Sequence, residues 1–162
     1  MVHQTRAVSP LKGERLVATR EFSVIEFHCT KGGKASATFQ VIGDATGPYR
    51  GSFIETGSFG GSGHRITRFR SDFTISNDNG TVLASGTKGG SVSGSVTCMN
   101  LPEKEISHLE ANASTRYTAT ITGTSTKARG SVDVGVDAFA NTLFHRFDEQ
   151  FTRSRRPSSA IP

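Results

Sequence analysis

From about residue 19 to residue 151 apolar and polar side chains alternate with a period of two, and glycine, asparagine and proline punctuate the runs. That pattern predicts strands joined by turns. The clearest case is Thr38 to Phe59. Phe39 and Val41 alternate with Thr38, Gln40 and Ile42. The segment from Gly43 to Pro48 then breaks the run, and Tyr49, Gly51, Phe53, Glu55, Gly57 and Phe59 alternate with Arg50, Ser52, Ile54, Thr56 and Ser58. The same pattern predicts further strands at Thr19–Thr30, His64–Ser76, Thr81–Thr87, Ser91–Met99, Thr115–Thr122 and Ala128–Val136. Turns are expected at Lys31–Lys34, Gly60–Gly63, Asn77–Gly80, Lys88–Gly90 and Gly123–Lys127, with Asn79-Gly80 the strongest hairpin signal. Asn100–Ser114 reads as a polar excursion that opens a short helix near Pro102. In the last segment Phe139, Leu143, Phe147 and Phe151 are four apart, as on a helix. Leu143, His145, Phe147, Glu149 and Phe151 also alternate, and a closing strand is the preferred reading.

Eight or nine sequential strands with short turns predict an all-β fold, an antiparallel eight- or nine-stranded β-barrel of calycin-like form, with a β-sandwich as second choice. Gly51, Gly57, Gly94 and Gly130 fall inside strands, where they allow the bends of a curved sheet and favour the barrel. One domain spans residues 18–153. Residues 1–17 form a polar, basic arm or lid in which Leu11, Leu16 and Val17 offer apolar purchase, and residues 154–162 form a disordered tail.

The net charge of +5 and the pI of about 9.6 invite a nucleic-acid reading. Their distribution argues against it. Residues 21–151 hold 12 Lys and Arg against 13 Asp and Glu, a balance of −1, and the excess lies at the two ends. Sequence-specific nucleic-acid domains carry the basic charge on the folded body, so no specific nucleic-acid partner is expected. No run approaches the ~20 apolar residues of a membrane span. The N-terminus has no apolar signal region, which places the chain as it stands in the cytoplasm, or outside the cell if it is a mature form. Cys29 and Cys98 fit no zinc spacing, and each ends a predicted strand, where a disulfide between strands or two buried thiols are both open.

The stretch Ala45-Thr46-Gly47-Pro48-Tyr49-Arg50-Gly51-Ser52-Phe53-Ile54-Glu55-Thr56-Gly57 resembles one shared by small β-rich actinobacterial proteins, which runs roughly Ala-Thr-Gly-Pro-Tyr-Pro-Gly-Thr-Phe-Thr-Glu-Thr-Gly. Arg50 stands where proline is usual. Those proteins also tend to carry one cysteine before this hairpin and one after the following strands, matched here by Cys29 and Cys98. The resemblance extends loosely over residues 21–153. It implies an all-β domain and no particular activity.

The candidate chemistry centres on Glu55. It shares a strand face with Tyr49, Phe53 and Phe59, and burial among aromatic rings would raise a carboxyl pKa. Three functions are open. The first is a barrel that binds an apolar or oxygenated small molecule in its interior, lined by Phe39, Phe53, Phe69, Phe73, Tyr117 and Phe147. The second is a cofactor-free cyclase or isomerase, with Glu55 as general acid or base, Tyr49 as hydrogen-bond donor and Arg68 or Arg70 holding an anionic intermediate. The third is a secreted, non-catalytic surface or interaction domain with a filled core and a Cys29–Cys98 disulfide. On the bland reading of the site, Glu55 pairs with an arginine across the sheet or faces solvent. The histidine spacings give no metal site, no cofactor is expected, and Gly60-Gly61-Ser62-Gly63 lacks the residues of a phosphate loop.

Overall fold

The computed structural model describes residues 10–19, 24–30, 33–101, 106–122, 126–139 and 145–152. Nine antiparallel strands follow one another: β1 (Arg15–Ala18), β2 (Val24–Cys29), β3 (Lys34–Thr46), β4 (Gly51–Ser62), β5 (Arg65–Ser76), β6 (Val82–Leu101), β7 (Ile106–Ile121), β8 (Thr126–Phe139) and β9 (His145–Thr152). Each of β2 to β9 pairs with the next in sequence. The sheet closes because β1 pairs with β9 on one side and with β3 on the other. The result is a closed eight-stranded barrel with β2 as an additional strand on the edge of β3.

The alternation that predicted the strands is the alternation of the barrel wall. In β3, Ala35, Ala37, Phe39, Val41 and Ala45 point inward while Thr38, Gln40 and Asp44 stay exposed. Bulk is concentrated on β4 and β5, which bury Phe53, Phe59, Phe69 and Phe73, and on β9, which buries Phe147 and Phe151. β7 and β8 bury mostly Ala and Val. Large rings from some strands thus occupy the room that small residues leave on others. Phe39 lies 5.2 Å from Phe147 and 5.9 Å from Phe69 between ring centroids, and Phe151 lies 4.9 Å from Tyr117 and 5.4 Å from Phe73. Two in-strand glycines serve this packing. Gly57 sits opposite Phe39, and Gly130 opposite Tyr117; a Cβ on either would lie 2.8 Å from the facing ring.

Several boundaries differ from expectation. The arm of residues 1–17 is not external at its C-terminal end: Arg15–Ala18 is the strand that closes the barrel, and Leu11, Glu14 and Leu16 are buried. The expected turn at Lys88–Gly90 is a bulge inside one 20-residue strand, β6, bent at Gly89 and Gly90, where Gly90 has φ +87°. The expected polar excursion is mostly strand. β6 runs to Leu101 and β7 starts at Ile106, with Leu109, Ala111 and Ala113 on the inner face. Residues 102–105, where a helix was expected to open, lie outside the described residues, as do residues 1–9 of the arm and the expected tail. The glycine-rich loop expected at Gly60–Gly63 is largely the end of β4, and the turn itself is Gly63-His64, both with positive φ (+59° and +65°) as in a two-residue type I′ hairpin. At the Asn-Gly hairpin, Asn77 Oδ1 accepts from the backbone N–H groups of Asn79 and Thr81. The last segment is a strand over His145–Thr152.

A buried lysine between two glutamates: the candidate functional site

Glu55 does point inward and is fully buried. Its partner is neither an arginine nor solvent. Lys88 of β6, also fully buried, donates from Nζ to Glu55 Oε1 at 2.5 Å and to Glu149 Oε1 of β9. Ser71 of β5 donates from Oγ to Glu55 Oε2 at 2.7 Å. Four strands therefore supply one polar cluster. Register explains it. Glu55 is opposite Phe73 on β5, and Ser71 is opposite Lys88 on β6, so all three fall on inward positions of neighbouring strands. The ammonium sits 4.8 Å from the Phe73 ring centroid and 5.1 Å from that of Phe151, over their faces. Cation–π attraction adds to the ion pairs in a site without water access.

The two carboxyl groups are not equivalent. Each oxygen of Glu55 accepts a hydrogen bond. Glu149 Oε2 is buried with no hydrogen-bond partner among the described residues. Burial raises the Glu149 carboxyl well above the ordinary carboxylate range, and the charge of Glu55 pushes the same way, against the lowering effect of Lys88. Two carboxylates on one ammonium would leave a net buried charge, and the raised Glu149 carboxyl is the group that relieves it by holding a proton.

The other sequence candidates are dispersed. Phe39, Phe53, Phe69, Phe73, Tyr117 and Phe147 are all buried and pack in the core. Tyr49 is partly buried in the turn after β3, where its backbone N–H donates to Glu14 Oε1 at 2.8 Å. Arg68 and Arg70 are exposed on the outer face of β5, and the Arg68 guanidinium lies over Gly60. Neither arginine joins Glu55. Cys29 and Cys98 are joined in a disulfide between β2 and β6 with their Cα atoms 5.7 Å apart.

Sequence reasoning passed over Lys88, Glu149 and Glu14. Lys88 precedes two glycines and reads as a turn residue. Glu149 lies between Phe147 and Phe151 on the inward alternation, which was the available signal. Glu14 is 1% exposed, and burial raises its carboxyl to about 7, against the lowering effect of the Tyr49 N–H. On the outer wall, His108, Glu110 and Asp137 bring donor atoms within 4.8 Å of one another. His108 Nε2 meets Asp137 Oδ1 at 2.8 Å and Glu110 at 3.5 Å, an arrangement that a partly buried side-chain hydrogen bond explains.

Among the described residues, two concavities stand out on the surface. One, of about 590 Å³, is an open polar trough over the outer faces of β6 to β9, lined by residues such as Ser95, Asn112, Asp133, Arg146 and Gln150. The other, of about 30 Å³, lies beside the disulfide. Among the described residues, no helix is long and apolar enough to cross a membrane. Comparison of the chain with protein-family models, with curated proteins and with solved structures finds no match in any of the three.

Proposed function

We propose that this protein is a non-catalytic, covalently stapled barrel that works outside a reducing compartment and engages its partners through its outer surface. The observation that carries this reading is the occupancy of the barrel interior at Glu55. A ligand-holding barrel, or a cyclase or isomerase acting through Glu55, needs open space beside that carboxylate. Here Lys88, Ser71, Phe73, Phe151 and Glu149 take those positions. Tyr49 and Arg68, which such chemistry would recruit, stand elsewhere. The disulfide supports the compartment, since such bonds persist where thiols are not kept reduced. The trough on the outer faces of β6 to β9 is lined by hydroxyl, amide and charged groups, and suits a polar partner recognised by hydrogen bonds.

Native mass spectrometry of freshly purified protein, before and after incubation with an extract of the source organism, tests the sealed interior. The expected result is the bare chain in both. A stoichiometric organic adduct that Phe39→Trp or Ala113→Leu abolishes in folded protein would overturn the reading and restore the interior ligand.

A further inference from the structure

We propose that Lys88 and Glu149 condense within the folded barrel to an amide, with Glu55 as the proton-transfer group, so that β6 and β9 become covalently joined. The inference goes beyond the partner-binding reading and stands without it.

The argument begins with the position of Lys88. A lysine is rarely fully buried, and an ion pair without water gives weak net stability for the desolvation it costs. Lys88 is fully buried with two carboxyl groups on its nitrogen. One ammonium between two acids is more acid than a structural pair needs. The geometry assigns the two acids different work. Glu55 is held by Ser71 on one oxygen and meets Lys88 with the other, which is how a base is positioned. Glu149 presents Oε1 to Lys88 and its carboxyl to Glu55, where an oxygen can take a proton and leave, while Oε2 stands without a partner among the described residues and is left to become the amide carbonyl. The rings of Phe73 and Phe151 exclude water and fix the ammonium in place.

The step balances without any oxidant or co-reactant. Lys88 Nζ gives a proton to Glu55 Oε1, which frees its lone pair. The nitrogen attacks Cδ of the neutral Glu149 acid, whose hydroxyl oxygen is Oε1, the new N–C bond forms, and the carbonyl π pair moves onto Oε2. Glu55 passes its proton to Oε1, the C–Oε1 bond breaks, and one water departs as Oε2 re-forms the carbonyl. The nitrogen then returns one proton to Glu55. Lys–NH3⁺, Glu55 carboxylate and Glu149 acid become an amide N–H, Glu55 acid and water, with net charge zero on both sides. Fixed neighbours replace a bimolecular encounter, an effect worth many orders of magnitude in effective concentration. The product removes the buried charges, so the low-polarity site favours it.

Intact mass spectrometry of the reduced, purified wild-type chain tests this directly. The expected mass is lighter than the sequence by one water. Trypsin should leave the bond after Lys88 uncut and release a branched peptide joining residues 71–104 to residues 147–153. Glu55→Gln and Lys88→Met should each return to the full sequence mass. A folded wild-type protein at the full sequence mass would overturn the proposal, and so would a lost water that fragmentation places elsewhere, as in a succinimide. The wild-type mass decides the matter even if the variants fold poorly. Retention of the water loss in folded Glu55→Gln would refute the role given to Glu55.

Discussion

Replacing Glu14 by Gln isolates one buried charge. Glu14 lies just before β1, 1% exposed, with Oε1 accepting from the Tyr49 N–H and Oε2 without a partner among the described residues. Burial lifts its carboxyl from 4.5 to about 7. The folded state therefore holds this proton more tightly than the unfolded state does. Its contribution is fully present below about pH 4.5 and is lost as pH rises through about 7. By linkage the loss between those limits is about 3 kcal/mol. Glutamine keeps the acceptor for Tyr49 and has no charge to bury, although its amide nitrogen inherits the place of the unpartnered oxygen, at a cost of about 1–3 kcal/mol that does not vary with pH. Urea unfolding of both proteins at intervals from pH 4.5 to 8 measures the difference. Glu149 and the histidines are common to both chains and cancel. The difference should move toward the variant by about 3 kcal/mol across the range. A difference that does not change with pH would refute the buried, raised carboxyl, whatever its absolute size.

Phe39→Ala should cost about 3–5 kcal/mol in the same assay, because its ring joins Phe59, Phe69 and Phe147 in one packed group. Gly57→Ala should cost about 1–3 kcal/mol, since its Cβ would lie 2.4 Å from the Arg70 carbonyl and 2.8 Å from Phe39; a neutral result would show that β4 and β5 yield more than a packed barrel does. Cys29→Ser paired with Cys98→Ser opens a loop of 69 residues and should lower stability by about 4 kcal/mol on the chain-entropy account, read as a fall in the urea midpoint that reductant reproduces in the wild type.

The wall of this barrel was legible where large and polar residues alternate, as from Phe39 to Phe59 and from Phe69 to Ile75. It was illegible where alternation is carried by alanine. Leu109, Ala111 and Ala113 form a proper inward series, but alanine is compatible with loop, helix and strand alike, and the start of β7 read as an excursion. The closing strand was hidden for a different reason. β1 is four residues long, and its role depends on pairing with β3 and β9 at long range, which no local period encodes. At the site, Glu55 was visible as a carboxylate on an aromatic face. Lys88 was not, because a charged residue before Gly89-Gly90 is ordinary turn chemistry; the strand in fact runs through it, and the alternation from Ala84 through Gly86 points it inward before the bulge begins. A buried ion cluster violates the rule that ordinarily separates inside from outside, so its members show up as isolated exceptions until the register brings them together.

β6 carries both Lys88 and Cys98, ten residues apart. With the disulfide to β2 and the proposed amide to β9 both in place, a pull on the two chain ends has a covalent shortcut. Tension enters at Cys29, crosses to Cys98, runs back along β6 to Lys88 and leaves through Glu149. Between Cys29 and Glu149 the only backbone on that line is the Lys88–Cys98 segment, about 35 Å when fully drawn out. Its one reserve of length is the bulge at Gly89 and Gly90. β3, β4, β5, β7 and β8 lie off the line and would bear none of the force, while β1 and β2, which precede the disulfide, would still carry it.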